Sequence, residues 1–68
     1  MNRQKKEEFK NNIKQFYISI IENKGYFDYC NRDFLFVDAT YTFDISYRTA
    51  RRYFWQLVPK EIITKYII

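Results

Sequence analysis

The clearest pattern in the chain is an apolar stripe along residues 4–23. Its members recur at steps of four, three, one, three and one, the spacing of one face of an α-helix. They are Phe9, Ile13, Phe16, Tyr17, Ile20 and Ile21. Charged and amide side chains fill the other face, and Lys24-Gly25 follows where a helix commonly ends. The pattern predicts one amphipathic helix over residues 4–23.

A second stripe predicts a helix over residues 46–58. Ser46 is a favourable N-cap residue, and Pro59 ends the helix because a proline disfavours the α conformation of the residue before it. Between them, apolar residues recur at steps of three, one and three. These are Ala50, Tyr53, Phe54 and Leu57.

Three segments leave alternatives open. Residues 26–33 fit a short strand or a loop. Asn31 or Asp33 could cap a helix that begins after this segment. Residues 34–43 are rich in β-branched and aromatic side chains, which favours a strand, yet they also fit a helical face. Residues 60–68 fit either a helix or an isoleucine-rich strand.

Composition restricts how this chain can be stabilised and what chemistry it can perform. The length predicts one domain over residues 1–68. Cys30 is the single cysteine and histidine is absent, so neither an internal disulfide nor a structural zinc site can form. The aspartates lack metal-loop spacing. We therefore expect no metal, no cofactor and no enzymatic activity, with stability supplied by aromatic packing.

Charge is distributed unevenly along the chain. Residues 1–25 carry +3, residues 26–45 carry −3, and residues 46–68 carry +4. A local basic surface is typical of nucleic-acid binding. No run of eighteen apolar residues occurs and the N-terminus lacks a signal-peptide pattern, so we expect a cytoplasmic protein with no membrane segment.

The stretch Ala39–Leu57 resembles the helix-turn-helix of winged-helix and related DNA-binding domains. The matching positions are Phe43, Ile45, Ser46, Thr49, Ala50, Arg52, Tyr53, Phe54 and Leu57. Asp44 stands where the family usually has glycine, and eleven residues after Leu57 are too few for a full wing. The resemblance implies a mainly α, three-helix, winged-helix-like core with at most one or two short strands. Its wing is absent, reduced or completed by a second subunit, and Glu61–Ile68 could supply one strand.

Side chains of the second helix that the core does not need are the candidate DNA contacts. Arg48 and Arg51 are expected to face bases, with Tyr47 against a sugar or a thymine methyl. Ser46, Thr49 and Arg52 are expected to hold phosphates, and Trp55 lies on the same helix. This interpretation predicts a small sequence-specific binder of double-stranded DNA. It would regulate transcription, or assist replication or recombination, in a virus, plasmid or other mobile element.

A different class of function also fits the sequence. An inhibitor or adaptor module could bind a protein partner through Tyr26, Phe27, Tyr29 and Trp55, since aromatic residues dominate binding hot spots.

Two further surfaces suggest contacts. A homodimer is expected through the C-terminal apolar segment, which is more than a domain this small easily buries. Its residues are Ile62, Ile63, Tyr66, Ile67 and Ile68. The N-terminal cluster of Arg3, Lys5 and Lys6 could touch phosphates, although a frayed terminus is the more common outcome for such a cluster.

Overall fold

Four α-helices account for most of residues 3–68, the part of the chain that the computed structural model describes. They are α1 (Arg3–Lys24), α2 (Asp33–Phe43), α3 (Tyr47–Leu57) and α4 (Lys60–Tyr66). A single 3-10 turn, Tyr29–Asn31, precedes α2. The expected mainly α fold is confirmed, with a fourth helix beyond the three that the resemblance implies.

The first helix forms as the apolar stripe predicts. Ile13, Tyr17 and Ile21 are buried along one face of α1. The helix stops at Gly25, whose φ of 80° lies in the left-handed region that favours glycine. Its N–H donates to the carbonyl of Ile21 at 2.9 Å, which satisfies one of the orphan carbonyls of the last turn.

Tyr17 lies at the centre of the core, with none of its side chain exposed. Its ring meets Phe54 of α3 edge-on at 5.1 Å and Phe36 of α2 at 6.5 Å between centroids. Its hydroxyl donates to the carbonyl of Ala50 at 2.8 Å, and burial raises the pKa of that hydroxyl. One side chain therefore joins three helices.

Residues 34–43, whose strand and helix patterns compete, belong to helix α2. The helical period turns Leu35, Phe36 and Ala39 into the common core, so tertiary packing outweighs β-propensity here. The predicted cap is wrong, since Arg32 occupies the N-cap position without a side-chain hydrogen bond. Asp33 lies inside the first turn instead, where a negative charge suits the helix dipole.

The C-terminal segment adopts the helical one of its two alternatives, as α4, so Glu61–Ile68 does not supply a wing strand. Pro59 is its N-cap, and α4 packs against α1. Beyond the helix, Ile68 N–H donates to the Phe27 carbonyl at 3.1 Å, within an isolated parallel bridge between Phe27 and Ile67. Among residues 3–68 no two-stranded wing is present.

Most of the C-terminal apolar segment packs against its own core. Ile62, Ile63 and Tyr66 are partly buried there, while Ile67 and Ile68 remain exposed, Ile68 to 75%. The apolar area left for a second subunit is therefore smaller than the sequence suggests.

Replacing Tyr17 with phenylalanine should destabilise the fold by about 1 kcal/mol, because it removes one buried hydrogen bond while retaining the ring. Urea denaturation at neutral pH measures this loss. Tyr41→Phe is the matched control, since that ring is 85% exposed. Equal stability of the Tyr17→Phe variant and the wild type would contradict the assignment.

The same substitution should alter the alkaline limb of the stability curve. The pKa of Tyr17 is raised in the folded state, so the unfolded chain releases this proton first as pH rises. Stability linked to Tyr17 is fully present below the unfolded pKa of about 10 and declines above it. Urea midpoints measured from pH 8 to 11 should fall less steeply for Tyr17→Phe than for Tyr41→Phe.

Candidate nucleic-acid interface

The turn between α2 and α3 sets the direction of the candidate recognition helix. Asp44 adopts φ 55° and ψ 49°, the left-handed conformation for which the resembling family uses glycine. Aspartate tolerates this region better than most residues. On either side, Ala39 and Ala50 are fully buried. Two small residues at these positions allow the backbones of α2 and α3 to approach closely.

Ser46 caps α3 as predicted. Its Oγ accepts the Thr49 N–H at 3.1 Å, and its hydroxyl donates to Thr49 Oγ1 at 2.9 Å. The Ser46 hydroxyl is thus committed to the first turn, and the Thr49 hydroxyl retains its own proton. Thr49 is only partly exposed. The first N–H groups of a helix lack partners within the helix, which suits the start of α3 to an anion.

The outward face of α3 carries four exposed side chains, which we call the arginine face. They are Arg48, Arg51, Arg52 and Trp55. Helical periodicity places Arg48, Arg52 and Trp55 opposite the buried Ala50 and Phe54, and places Arg51 at the edge of this face. Neither Arg48 nor Arg51 forms a salt bridge with any residue that the structure describes. Both are therefore available to an external anion.

Tyr47 is held by the fold more firmly than the sequence suggests. Its hydroxyl donates to Asp33 Oδ1 at 2.8 Å, and its ring meets Phe36 edge-on at 5.6 Å. The hydrogen bond to Asp33 is the main cause that raises the pKa of Tyr47. With 41% of the residue exposed, the ring can touch a ligand, while the hydroxyl fixes the start of α3 to the start of α2.

Trp55 belongs to a surface cluster in which sequence reasoning expected Tyr29 and missed Arg32. Its ring centroid lies 6.0 Å from that of Tyr29. The Arg32 guanidinium carbon lies 4.5 Å from the Tyr29 ring and 5.6 Å from the Trp55 ring, and Arg32 Nη1 donates to the Tyr29 carbonyl. The three-residue spacing of Tyr29 and Arg32 was the only available signal. We call these three residues the Trp55 cluster.

The aromatic surface expected of a protein-binding module needs correction at Phe27. That residue is 2% exposed and stacks on Phe54 at 5.5 Å, so it is part of the core. Tyr26 is exposed beside the Lys24 ammonium group, at 5.8 Å. Tyr29 and Trp55 remain together in the Trp55 cluster.

Helix α1 adds basic side chains beside the arginine face. Two adjoining clefts, of about 240 and 540 Å³, open between α1 and α3. The smaller is lined by Lys6, Lys10, Arg52, Tyr53 and Gln56, and the larger by Lys5, Lys6, Phe9 and Tyr53. The fold thus brings part of the N-terminal basic cluster to α3. The side chain of Arg3 lies outside the described residues.

Within residues 3–68, no group of three or more histidine, cysteine or acidic side chains could hold a metal ion. Asp28 accepts the Cys30 N–H at 3.0 Å and so caps the 3-10 turn. No described helix is both long and apolar enough to cross a bilayer.

Comparison with known proteins returns no relative. Neither protein-family models, nor curated proteins, nor solved structures match this chain. Support for a function therefore comes from the chemistry of its own surface.

The conformation of Asp44 predicts the effect of two substitutions at the turn. Asp44→Gly should be more stable than Asp44→Ala by about 1 kcal/mol, because only glycine enters the left-handed region without a Cβ penalty. Thermal denaturation of the two variants measures the difference. The reverse ranking would show that the turn is not left-handed at this residue.

The Trp55 cluster predicts a spectroscopic change. Trp55 is the single tryptophan, so Arg32→Ala should shift the emission to longer wavelength as water replaces the guanidinium beside the indole. Lys65→Ala, which removes the same charge from α4, should leave the spectrum unchanged. Identical spectra for both variants would contradict the contact.

Proposed function

We propose that this protein binds double-stranded DNA with α3 in the major groove. The observation that carries the proposal is the arginine face, which is exposed, basic and opposite a side that is buried in the core. A helix of this kind, held by a short turn against a second helix, fits the width of the groove. Arg48 and Arg51, which lack ion-pair partners among the described residues, supply the charge.

The side chains take separable roles in this proposal. Arg48 and Arg51 read base edges, for which the guanidinium fork suits the O6 and N7 acceptors of guanine. The Tyr47 ring packs on a sugar or a thymine methyl. Arg52 and Thr49 hold phosphates, and Ser46 supports them through the cap. Trp55, beside Arg32, borders the base-reading surface.

The proposed setting rests on the small size of the chain and on its richness in residues with A/T-rich codons, such as Ile, Asn and Lys. A small sequence-specific binder of this type acts in the cytoplasm as a transcriptional regulator, or as a replication or recombination factor of a mobile element or virus. A homodimer would place two copies of α3 on half-sites about one helical turn apart. The exposed Ile67 and Ile68 are the surface on which we propose that dimer.

The first test separates base reading from phosphate contact. The reference site is a duplex selected by the wild type from a random pool. Arg51→Ala should reduce the preference in binding free energy for this duplex over random duplex by about 1–3 kcal/mol, because one base contact is lost. Arg52→Ala should weaken binding to both duplexes alike. It should also reduce the magnitude of the slope of log affinity against log salt by about 1. Fluorescence anisotropy at several salt concentrations measures both quantities.

Lys65→Ala is the control for these variants, because it removes one positive charge from α4, away from the arginine face. Its affinity should follow that of the wild type. If Arg51→Ala and Arg52→Ala also follow the wild type at every salt concentration, α3 is not the DNA-contacting element.

A protein-binding function is the second candidate, and the Trp55 cluster is the observation that favours it. Tryptophan, tyrosine and arginine are the residues most enriched in binding hot spots, and here all three types lie in contact at the surface. A salt titration on random duplex discriminates between the two functions. A steep loss of affinity with salt supports DNA binding, and no binding at low salt supports the protein partner.

A further inference from the structure

The buried face of α1 changes character towards its N-terminus. Ile13, Tyr17 and Ile21 follow one another at steps of four and are buried. Lys10 and Lys6 continue the same stripe at steps of three and four. Phe9 extends the apolar contact beside them, against Phe43 and Tyr53, so the two lysines border that contact on the side of the cleft.

Helix α3 supplies the opposite wall of the space beside these lysines. Arg52 and Gln56, one turn apart, line the cleft of about 240 Å³ together with the Tyr53 ring. We call this space the Lys6–Lys10–Arg52 cleft. The cleft is open to solvent, so a tetrahedral anion can reach its lining side chains.

The cleft is strongly unbalanced in charge. Three of its five lining residues are cations and none is a carboxylate. Glu8 is turned about 200° around the helix from Lys6. Glu7 is one turn from Lys10 on the helix surface, but it does not line the cleft. Like charges that face one space repel one another, and an anion between them relieves that repulsion.

The donors in the cleft suit a phosphate group. Two ammonium groups and a guanidinium offer charge-assisted hydrogen bonds to phosphate oxygens, and the Gln56 amide adds a neutral donor. The Arg52 guanidinium carbon lies 5.7 Å from the Tyr53 ring, which positions it beside the cleft.

We propose that the Lys6–Lys10–Arg52 cleft is a phosphate-binding site. The proposal rests on the proposed DNA-binding function in one respect, namely that the phosphates bound there belong to the strand that borders α3. Arg52 is shared between the cleft and the arginine face, so a backbone that leaves the major groove beside α3 enters the cleft directly. Helix α1 thereby becomes a second DNA-contacting element.

The decisive experiment removes the two lysine charges and leaves the arginine face intact. In Lys6→Gln/Lys10→Gln, the negative slope of log affinity against log salt should become shallower by about 1.8, at about 0.9 for each lost phosphate contact. The preference for selected over random duplex should not change. Lys6→Arg/Lys10→Arg should retain the slope, and Lys60→Gln/Lys65→Gln, which removes two charges from α4, should also retain it.

The source of the phosphate is tested with tripolyphosphate as a small probe. In wild-type protein, amide NMR shifts of Lys10, Arg52 and Gln56 should move on addition of either duplex or tripolyphosphate, and the glutamine variant should lose both responses. If tripolyphosphate shifts these amides but duplex does not bind, the cleft is a site for small anions and its assignment to DNA is overturned.

Other outcomes separate the cleft from the arginine face. If the glutamine variant keeps the wild-type slope while Arg51→Ala loses sequence preference, the cleft proposal fails and the DNA-binding function stands. A lower melting temperature without a change in slope would show that the lysine stems only cover Tyr53, which also overturns the site. No response to either probe would overturn both proposals.

Discussion

The hydrogen bond from the Tyr17 hydroxyl to the Ala50 carbonyl is the constraint on which the rest of the structure depends. A tyrosine can be fully buried only if its polar end finds a partner. That partner is the backbone of α3, so α3 must approach α1 closely and in one rotational setting. The small side chain of Ala50 permits the approach. Which residues of α3 face outwards is therefore determined in the core, on the side of the helix away from any ligand.

The parts of the fold that local chemistry determines could be predicted from the sequence. The Ser46 cap, the end of α3 before Pro59 and the glycine stop of α1 each follow from residues within one turn of the boundary. The segment 34–43 could not be assigned in this way, because its residues fit both periods. Its helix is selected by Phe36, which packs against Tyr17 and Phe54 on two other helices.

The same limit applies to the candidate site. Its residues on one helix could be predicted from the sequence, whereas its contacts between helices could not. The arginines of α3 follow from one helical period. The Tyr47–Asp33 hydrogen bond joins residues 14 positions apart, and the cleft joins Lys6 and Lys10 to a helix near the other end of the chain. Contacts of this kind depend on how helices cross, which spacing along the chain does not encode.

Among residues 5–68, whose side chains the structure describes, no charged residue is buried in the core. Aromatic packing and backbone hydrogen bonds are little affected by ionic strength, whereas contacts between surface cations and a polyanion are strongly screened. Folding and the proposed anion binding should therefore respond to different solution variables. The protein should elute from an anionic matrix in concentrated salt in its native form, and bind again after dialysis without refolding.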